Sequence, residues 1–162
     1  AVVIPHVNTA EEARAVVDAS KFYPLGHRGN YTSRQGVGVA DYASKANAET
    51  IAIILIEDIV AIDNLAEILK VDGIDVFFVA PGDLAQSMGH LGEPEHPEVL
   101  ATVRRAFEQI VGAGRVAGGT ATESNLERQI ELGARFLNTQ WVPWAEAGGR
   151  AFLEKVAAAS SR

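Results

Sequence analysis

Residues 51–57, IAIILIE, and residues 77–83, FFVAPGD, decide how this chain folds. Each begins as an unbroken apolar run and ends on a carboxylate. A run such as 51–56 has no polar face to show to water, so it reads as a strand covered on both faces of a parallel sheet. Residues 77–80 read the same way. The intervening residues 58–73 hold about one helix and two turns, which makes the two strands consecutive neighbours. Adjacent strands lie about 4.8 Å apart. Glu57 and Asp83 therefore leave neighbouring strands at one end, close enough to share a divalent cation or to work as an acid–base pair. On spacing alone, two solvated loop acids remain the plain alternative.

The same alternation extends in both directions. Residues 2–4 form a short β-branched strand ended by Pro5. A helix follows from Thr9, where Thr9 and Glu12 make a capping box and Ala13, Val16 and Val17 line one face. Periodicity is lost over 21–39, and FYPLGHRGNYTSRQGVG is too long for an ordinary connection, which predicts a functional or interface loop. Residues 41–48 read as a short helix and 59–69 as a longer one. Residues 75–79 read as a strand, and 84–88 as a short helix closed by Gly89. Pro97 opens a helix over 98–111. The last units are a strand at 115–118, a helix at 122–132 stopped by Gly133, a strand at 136–139, and a helix from Pro143 to about 159. Five βα units with no hairpin signal predict one α/β domain over 1–162, built on a parallel sheet.

A net charge of −7 argues against a nucleic-acid partner or an anionic membrane surface. No apolar run approaches 18 residues, so no membrane span is expected. The opening AVVIPHVNTA lacks the basic region of a signal peptide. Without cysteine there are no disulfides, thiol nucleophiles or cysteine–zinc sites, and a cytoplasmic enzyme is the expectation. Met88 is the single methionine and the chain opens on Ala1, so a truncated chain is expected.

At FFVAPGDLAQSMG, followed by GEPEHPEV, the sequence resembles the HpcH/HpaI family of metal-dependent pyruvate aldolases. IPHVNTAEEARAVV, FYPLGHRG, LIED and GARFLNTQ resemble further family segments, so the similarity covers essentially the whole chain. The resemblance implies a TIM (β/α)8 barrel of which this chain is about the last five units. It implies that Glu57 and Asp83 are ligands of Mg²⁺ or Mn²⁺. It also implies that the main chain around Pro81, Gly82 and Asp83 holds the pyruvate carboxylate. A glycine permits close approach, and a helix start offers free N–H groups. The activity implied is cleavage of a 4-hydroxy-2-oxo acid to pyruvate and an aldehyde through a metal-stabilised enolate.

Two departures shape the expectation. Family members commonly carry Gln two residues before the first metal ligand, where this chain has the substrate-site residue Leu55. The general base and the pyruvate-binding arginine belong to the early part of the barrel, so the base is expected outside this chain. Within it, His6 follows a strand and is a candidate for the mouth, with His27 as a further substitute. Arg28, between the loop glycines, is a candidate for a substrate carboxylate. His90 and His96 read as solvated or interface residues. Trp141 and Trp144 read as packing residues, consistent with a homo-oligomer. No lysine ends a strand, which argues against Schiff-base chemistry. The rival readings are a non-catalytic barrel fragment that keeps the metal site, an acyl-CoA lyase, and an oxaloacetate decarboxylase.

Overall fold

Five parallel strands pair in the order in which they occur: β1 (Val2–Ile4), β2 (Ala52–Ile56), β3 (Val76–Val79), β4 (Ala117–Thr120) and β5 (Ala134–Asn138). The structure is a computed structural model that describes residues 1–31 and 34–160; Thr32 and Ser33 of the long loop, and Ser161 and Arg162, lie outside the described residues. Crossovers between neighbouring parallel strands are right-handed. A sheet that adds each new strand on the same side therefore keeps every helix on one face, which is how a barrel wall is wound.

Side chains alternate accordingly. Ala52, Ile54 and Ile56 of β2, with Phe77 and Val79 of β3, pack in the large cluster beneath the helices. There they meet Ala13 and Val16 of α1 (Ala10–Ser20), Leu65 and Ile68 of α4 (Leu65–Ile68), and Val99, Phe107 and Ile110 of α6 (Pro97–Gly112). The opposite face carries a small cluster: Ile53, Val76 and Phe78, flanked by Leu55, Ala80, Val116 and Phe136. This is the inner face of the barrel wall.

Several boundaries differ from the sequence reading, each for a physical reason. Strand β4 runs on to Thr120 through Gly118 and Gly119, which have no side chain to signal a strand. A Cβ on Gly118 would stand 2.9 Å from Phe78 Cδ2, and one on Gly119 would stand 3.1 Å from Phe107 Cζ. Aromatic rings from neighbouring elements already fill both faces. Strand β5 begins two residues early, and a register shift beside Ala117 and Gly118 puts Phe136 opposite Gly118 on the inner face. The helix expected over 59–69 divides into α3 (Ile59–Asp63) and α4 at Asn64, whose side chain donates to Asn8 O (2.9 Å). α2 (Tyr42–Glu49), α7 (Leu126–Glu131) and α8 (Val142–Ser160) complete the chain, with a 3₁₀ turn at Arg34–Gly36 inside the long loop. Among the described residues no helix is long and apolar enough to cross a membrane.

The helix-side cluster carries the stability. Phe77 is fully buried at the centre of the sheet, so Phe77→Ala should lower the unfolding free energy by about 3–5 kcal/mol. Leu91→Ala, at a side chain 74% exposed, should change it by less than about 0.5 kcal/mol. Urea unfolding followed by circular dichroism measures both, and equal midpoints would contradict this division of the core.

Candidate active site

Register places Glu57 and Asp83 at one end of the sheet. Ile56 lies opposite Val79, and Ala80 N–H donates to Ile56 O (3.2 Å). Glu57 is the next residue of its strand, and Asp83 lies in the first turn of α5 (Pro81–Ser87). Alternation turns Glu57 to the inner face with Ile53 and Leu55. Leu55 is thus part of the apolar floor beneath this end.

The helix α5 begins at Pro81, three residues earlier than expected, with proline suited to a first helical position. The first helical hydrogen bond is donated by Leu84 N–H to Ala80 O (3.2 Å). Gly82 and Asp83, preceding it, occupy the turn whose N–H groups a helix leaves unpaired. Beyond its chain neighbours and the backbone of its own helix, no heavy atom lies within 4 Å of a Cβ built on Gly82. The PGD segment therefore presents main-chain donors to open space, and Asp83 itself is exposed.

Glu57 is different: it is buried, with 3% exposure. Its Oε1 accepts the His6 N–H (2.9 Å), and His6 Nδ1 stands 3.5 Å from the same oxygen. Among the described residues no lysine or arginine pairs with it. A buried carboxylate is costly without a countercharge, so this donor suits a cation. The two carboxylates together offer hard oxygen ligands, which matches Mg²⁺ or Mn²⁺.

The structure brings His6 to this end. It follows β1 with φ +53°, a backbone conformation that a β-carbon disfavours, and this turn aims its N–H at Glu57. Ser87 is a residue the sequence reading passed over. Its Oγ accepts the Ile59 N–H (3.0 Å) and donates to Leu84 O (3.0 Å). It thereby braces α5 against the chain just beyond Glu57. The SMG of the quoted motif contains it, but only the folded chain reveals that Oγ faces α3. Asp58, beside Glu57, caps α3 by accepting the Val60 N–H (2.8 Å).

Arg28 is not brought to this site, which corrects its reading as a substrate ligand within the chain. Its N–H donates to Lys21 O, its guanidinium stacks 4.6 Å from the Phe22 ring centre, and Lys21 Nζ bonds Thr50 O just before β2. That is the end where the strands start. His27 lies there too, paired with Asp18 of α1.

The HpcH/HpaI aldolase/citrate lyase family matches residues 1–139. The chain belongs to this family. It is 40% identical over 141 residues to the hydroxypyruvate/pyruvate aldolase of Cupriavidus necator, covering 84% of this chain and 52% of that protein. It is 41% identical over 139 residues to the 4-hydroxy-2-oxo-heptane-1,7-dioate aldolase of Klebsiella pneumoniae, covering 83% and 52%. The chain thus spans about half the length of these curated relatives. A family protein from Burkholderia cenocepacia J2315 superposes with TM-score 0.85 at 29% identity, over 96% of this chain and 64% of that one. The HpcH/HpaI aldolase of Desulfitobacterium hafniense DCB-2 gives 0.80 at 26%, over 95% and 62%. The fold is accordingly a run of five βα units from a TIM-barrel family.

The His27–Asp18 pair yields a test remote from the site. Hydrogen bonding and the charge of Asp18 raise the His27 pKa above its ordinary 6.5. A raised folded-state value stabilises the fold below the unfolded pKa, and the contribution is lost as pH rises through the folded value. In Asp18→Asn the NMR titration midpoint of the His27 ring should move down toward 6.5. An unmoved midpoint would reject the pairing.

Proposed function

We propose that this chain forms the metal- and pyruvate-binding part of a divalent-metal-dependent aldolase cleaving a 4-hydroxy-2-oxo acid to pyruvate and an aldehyde. The observation that carries the reading is the buried Glu57, which pairs with no lysine or arginine among the described residues, at the same sheet end as the exposed PGD turn, in a chain of a family whose relatives are named as aldolases. In this reading Glu57 and Asp83 hold Mg²⁺ or Mn²⁺. A cation bound there supplies Lewis-acid polarisation of the carboxylate and keto oxygens of the 2-oxo acid.

The chain's own groups do the remaining binding. The N–H groups at Gly82 and Asp83 orient the substrate carboxylate at the start of α5, and Pro81 fixes that start. Leu55 and the inner apolar cluster keep the floor of the site dry, which strengthens every charged contact above it. Cleavage requires loss of the C4 hydroxyl proton, scission of C3–C4 with its electron pair retained on C3, and protonation of C3 to give pyruvate. The first base is assigned outside this chain. His6, with its imidazole exposed beside Glu57, is the internal candidate.

Assembly belongs to the same proposal. All of α8 is exposed, including Trp144, Phe152, Leu153 and Val156. So large an apolar helical face is unusual on a monomer, which supports a homo-oligomer with Trp141 or Trp144 in the contact. The cysteine-free composition supports a cytoplasmic setting.

Three measurements test this reading. Glu57→Gln and Asp83→Asn should each weaken Mn²⁺ binding at least about 10-fold, read by Mn²⁺ electron paramagnetic resonance; parent-like binding in both would refute the shared site. Gly82→Ala should leave the melting temperature within a degree or two of the parent, because its Cβ meets nothing. The same change should weaken pyruvate binding in the presence of Mn²⁺ by about 10-fold or more, as the methyl group occupies the ligand's place (about 1.4 kcal/mol). Undiminished pyruvate binding would remove the PGD amides from the proposal. Light scattering should report an oligomer with its tryptophans shielded from iodide, and a monomer with freely quenched tryptophans would exclude the assembly.

A further inference from the structure

Two back-to-back turns between α5 and α6 gather three metal-ligating side chains away from the Glu57–Asp83 pair. Glu93 N–H donates to His90 O (3.0 Å), and His96 N–H donates to Glu93 O (3.0 Å). Each is the four-residue closure of a β-turn, so residues three apart return to one side of the loop. Gly92, at φ +82°, supplies the third position of the first turn, and Pro94 the second position of the second. As a result His90, Glu93 and His96 each offer a ligand atom, all within 4.8 Å of one another. The two imidazoles stack with centroids 3.7 Å apart and planes 17° from parallel.

A second, independent feature points to a ligand. His90 Nε2 is 3.2 Å from Glu98 Oε2. An imidazole that donates one N–H to a carboxylate is fixed in the tautomer whose other nitrogen carries a lone pair, which is the usual support of a metal-bound histidine. That leaves His90 Nδ1 as the free donor atom. The loop is also anchored from outside. Both Arg128 NH groups donate to the Glu95 carboxylate (3.1 Å each), and His90 N–H donates to Ala85 O (2.7 Å). His96 and His90 are half-buried while Glu93 is exposed, so one side of the cluster faces solvent.

We propose that His90, Glu93 and His96 form a second metal site, selective for a borderline transition cation such as Zn²⁺ over Mg²⁺. Two nitrogen donors and one carboxylate suit Zn²⁺, whereas Mg²⁺ prefers oxygen alone. Around Zn²⁺ at about 2.0–2.1 Å per ligand, the donor atoms draw together and the stacked rings fan apart. Three protein ligands leave the solvent side for water. His96 at present caps α6, its Nδ1 accepting the Glu98 N–H at a long 3.3 Å. Ligation through either nitrogen removes that lone pair or protonates it, so the metal takes over from the cap in fixing the start of α6. An occupied site would pin the segment joining α5, which carries Asp83, to α6.

The test uses the full chain and Zn²⁺ itself, by calorimetry, with Co²⁺ absorption reporting the donor set. The parent should bind one equivalent of Zn²⁺ that persists in the Glu57→Gln/Asp83→Asn double variant. His90→Gln and His96→Asn should each weaken that equivalent at least about 10-fold; asparagine at position 96 keeps an N-cap acceptor for α6, so melting in EDTA should match the parent. Should either variant fold poorly, Glu93→Gln on the exposed loop and NMR of the parent decide the matter. Zn²⁺ should then shift the ring protons of His90 and His96 and leave those of His27 in place. Parent-like Zn²⁺ binding in the histidine variants, loss of the equivalent in the double variant, or unshifted His90 and His96 signals would each overturn the proposal.

Discussion

Parallel pairing in strict neighbour order is the constraint on which the rest of this molecule depends. Once β2 lies beside β3 with Ile56 opposite Val79, the chain must return from the end of one strand to the start of the next by a helix. Every such return takes the same hand, so the crossover helices cover one face and all strand ends gather at one edge. Glu57 and the PGD turn lie at one edge because they are what the chain does on leaving two adjacent strands. Ser87 and Asn64 tie the same turns together laterally, linking α5 to α3 and the α3–α4 break to the β1–α1 loop.

The two faces of the sheet carry different obligations. The helix face is closed by large side chains, whereas the apolar cluster on the inner face has three buried members among the described residues, Ile53, Val76 and Phe78. Glycines 118 and 119 let aromatic rings from both sides reach the backbone of β4, so this strand is thin where its neighbours are bulky. Alternation then gives Glu57 to the inner face. A carboxylate there is buried at the top of an apolar floor, where charge interactions are least screened. The same placement that makes Glu57 costly to the fold suits it to the metal-ligand role proposed for it.

Much of this was legible in the sequence. Continuous apolar runs gave β2 and β3, and the Thr9–Glu12 capping box is present as read, with Glu12 accepting the Thr9 N–H. Five units and a parallel sheet followed from alternation. What escaped was set by contacts distant in sequence. The glycine pair in β4 carries no strand propensity of its own, because its packing comes from Phe78, Phe136 and Phe107. The side chain at the α3–α4 division, Asn64, bonds a carbonyl 56 residues away. Arg28 sits in a segment resembling a family loop, yet motif identity says nothing about which end of the sheet that loop occupies. His90 and His96 read as separate solvated residues because the turns that stack them are encoded by Gly92 and Pro94, not by the histidines.

Helix polarity explains why the two ends of the sheet took opposite chemistries. Each helix of a parallel βα unit starts near the end of one strand and finishes near the start of the next. N-terminal N–H groups therefore collect at one edge, and C-terminal carbonyls at the other. The carbonyl edge attracts cations: Lys21, only 6% exposed, donates to Asn47 O and Thr50 O at the end of α2, and Arg115 donates to Leu69 O and Val71 O after α4. Arg28 belongs with this group, stacked on Phe22 beside Lys21. The N–H edge has the opposite field, which favours negative charge. Glu57 and Asp83 stand there, and the 2-oxo acid of the proposed reaction, being an anion, suits the same place. The field is a consequence of winding alone, so the strand-end edge was suited to anions before any particular side chain was placed on it.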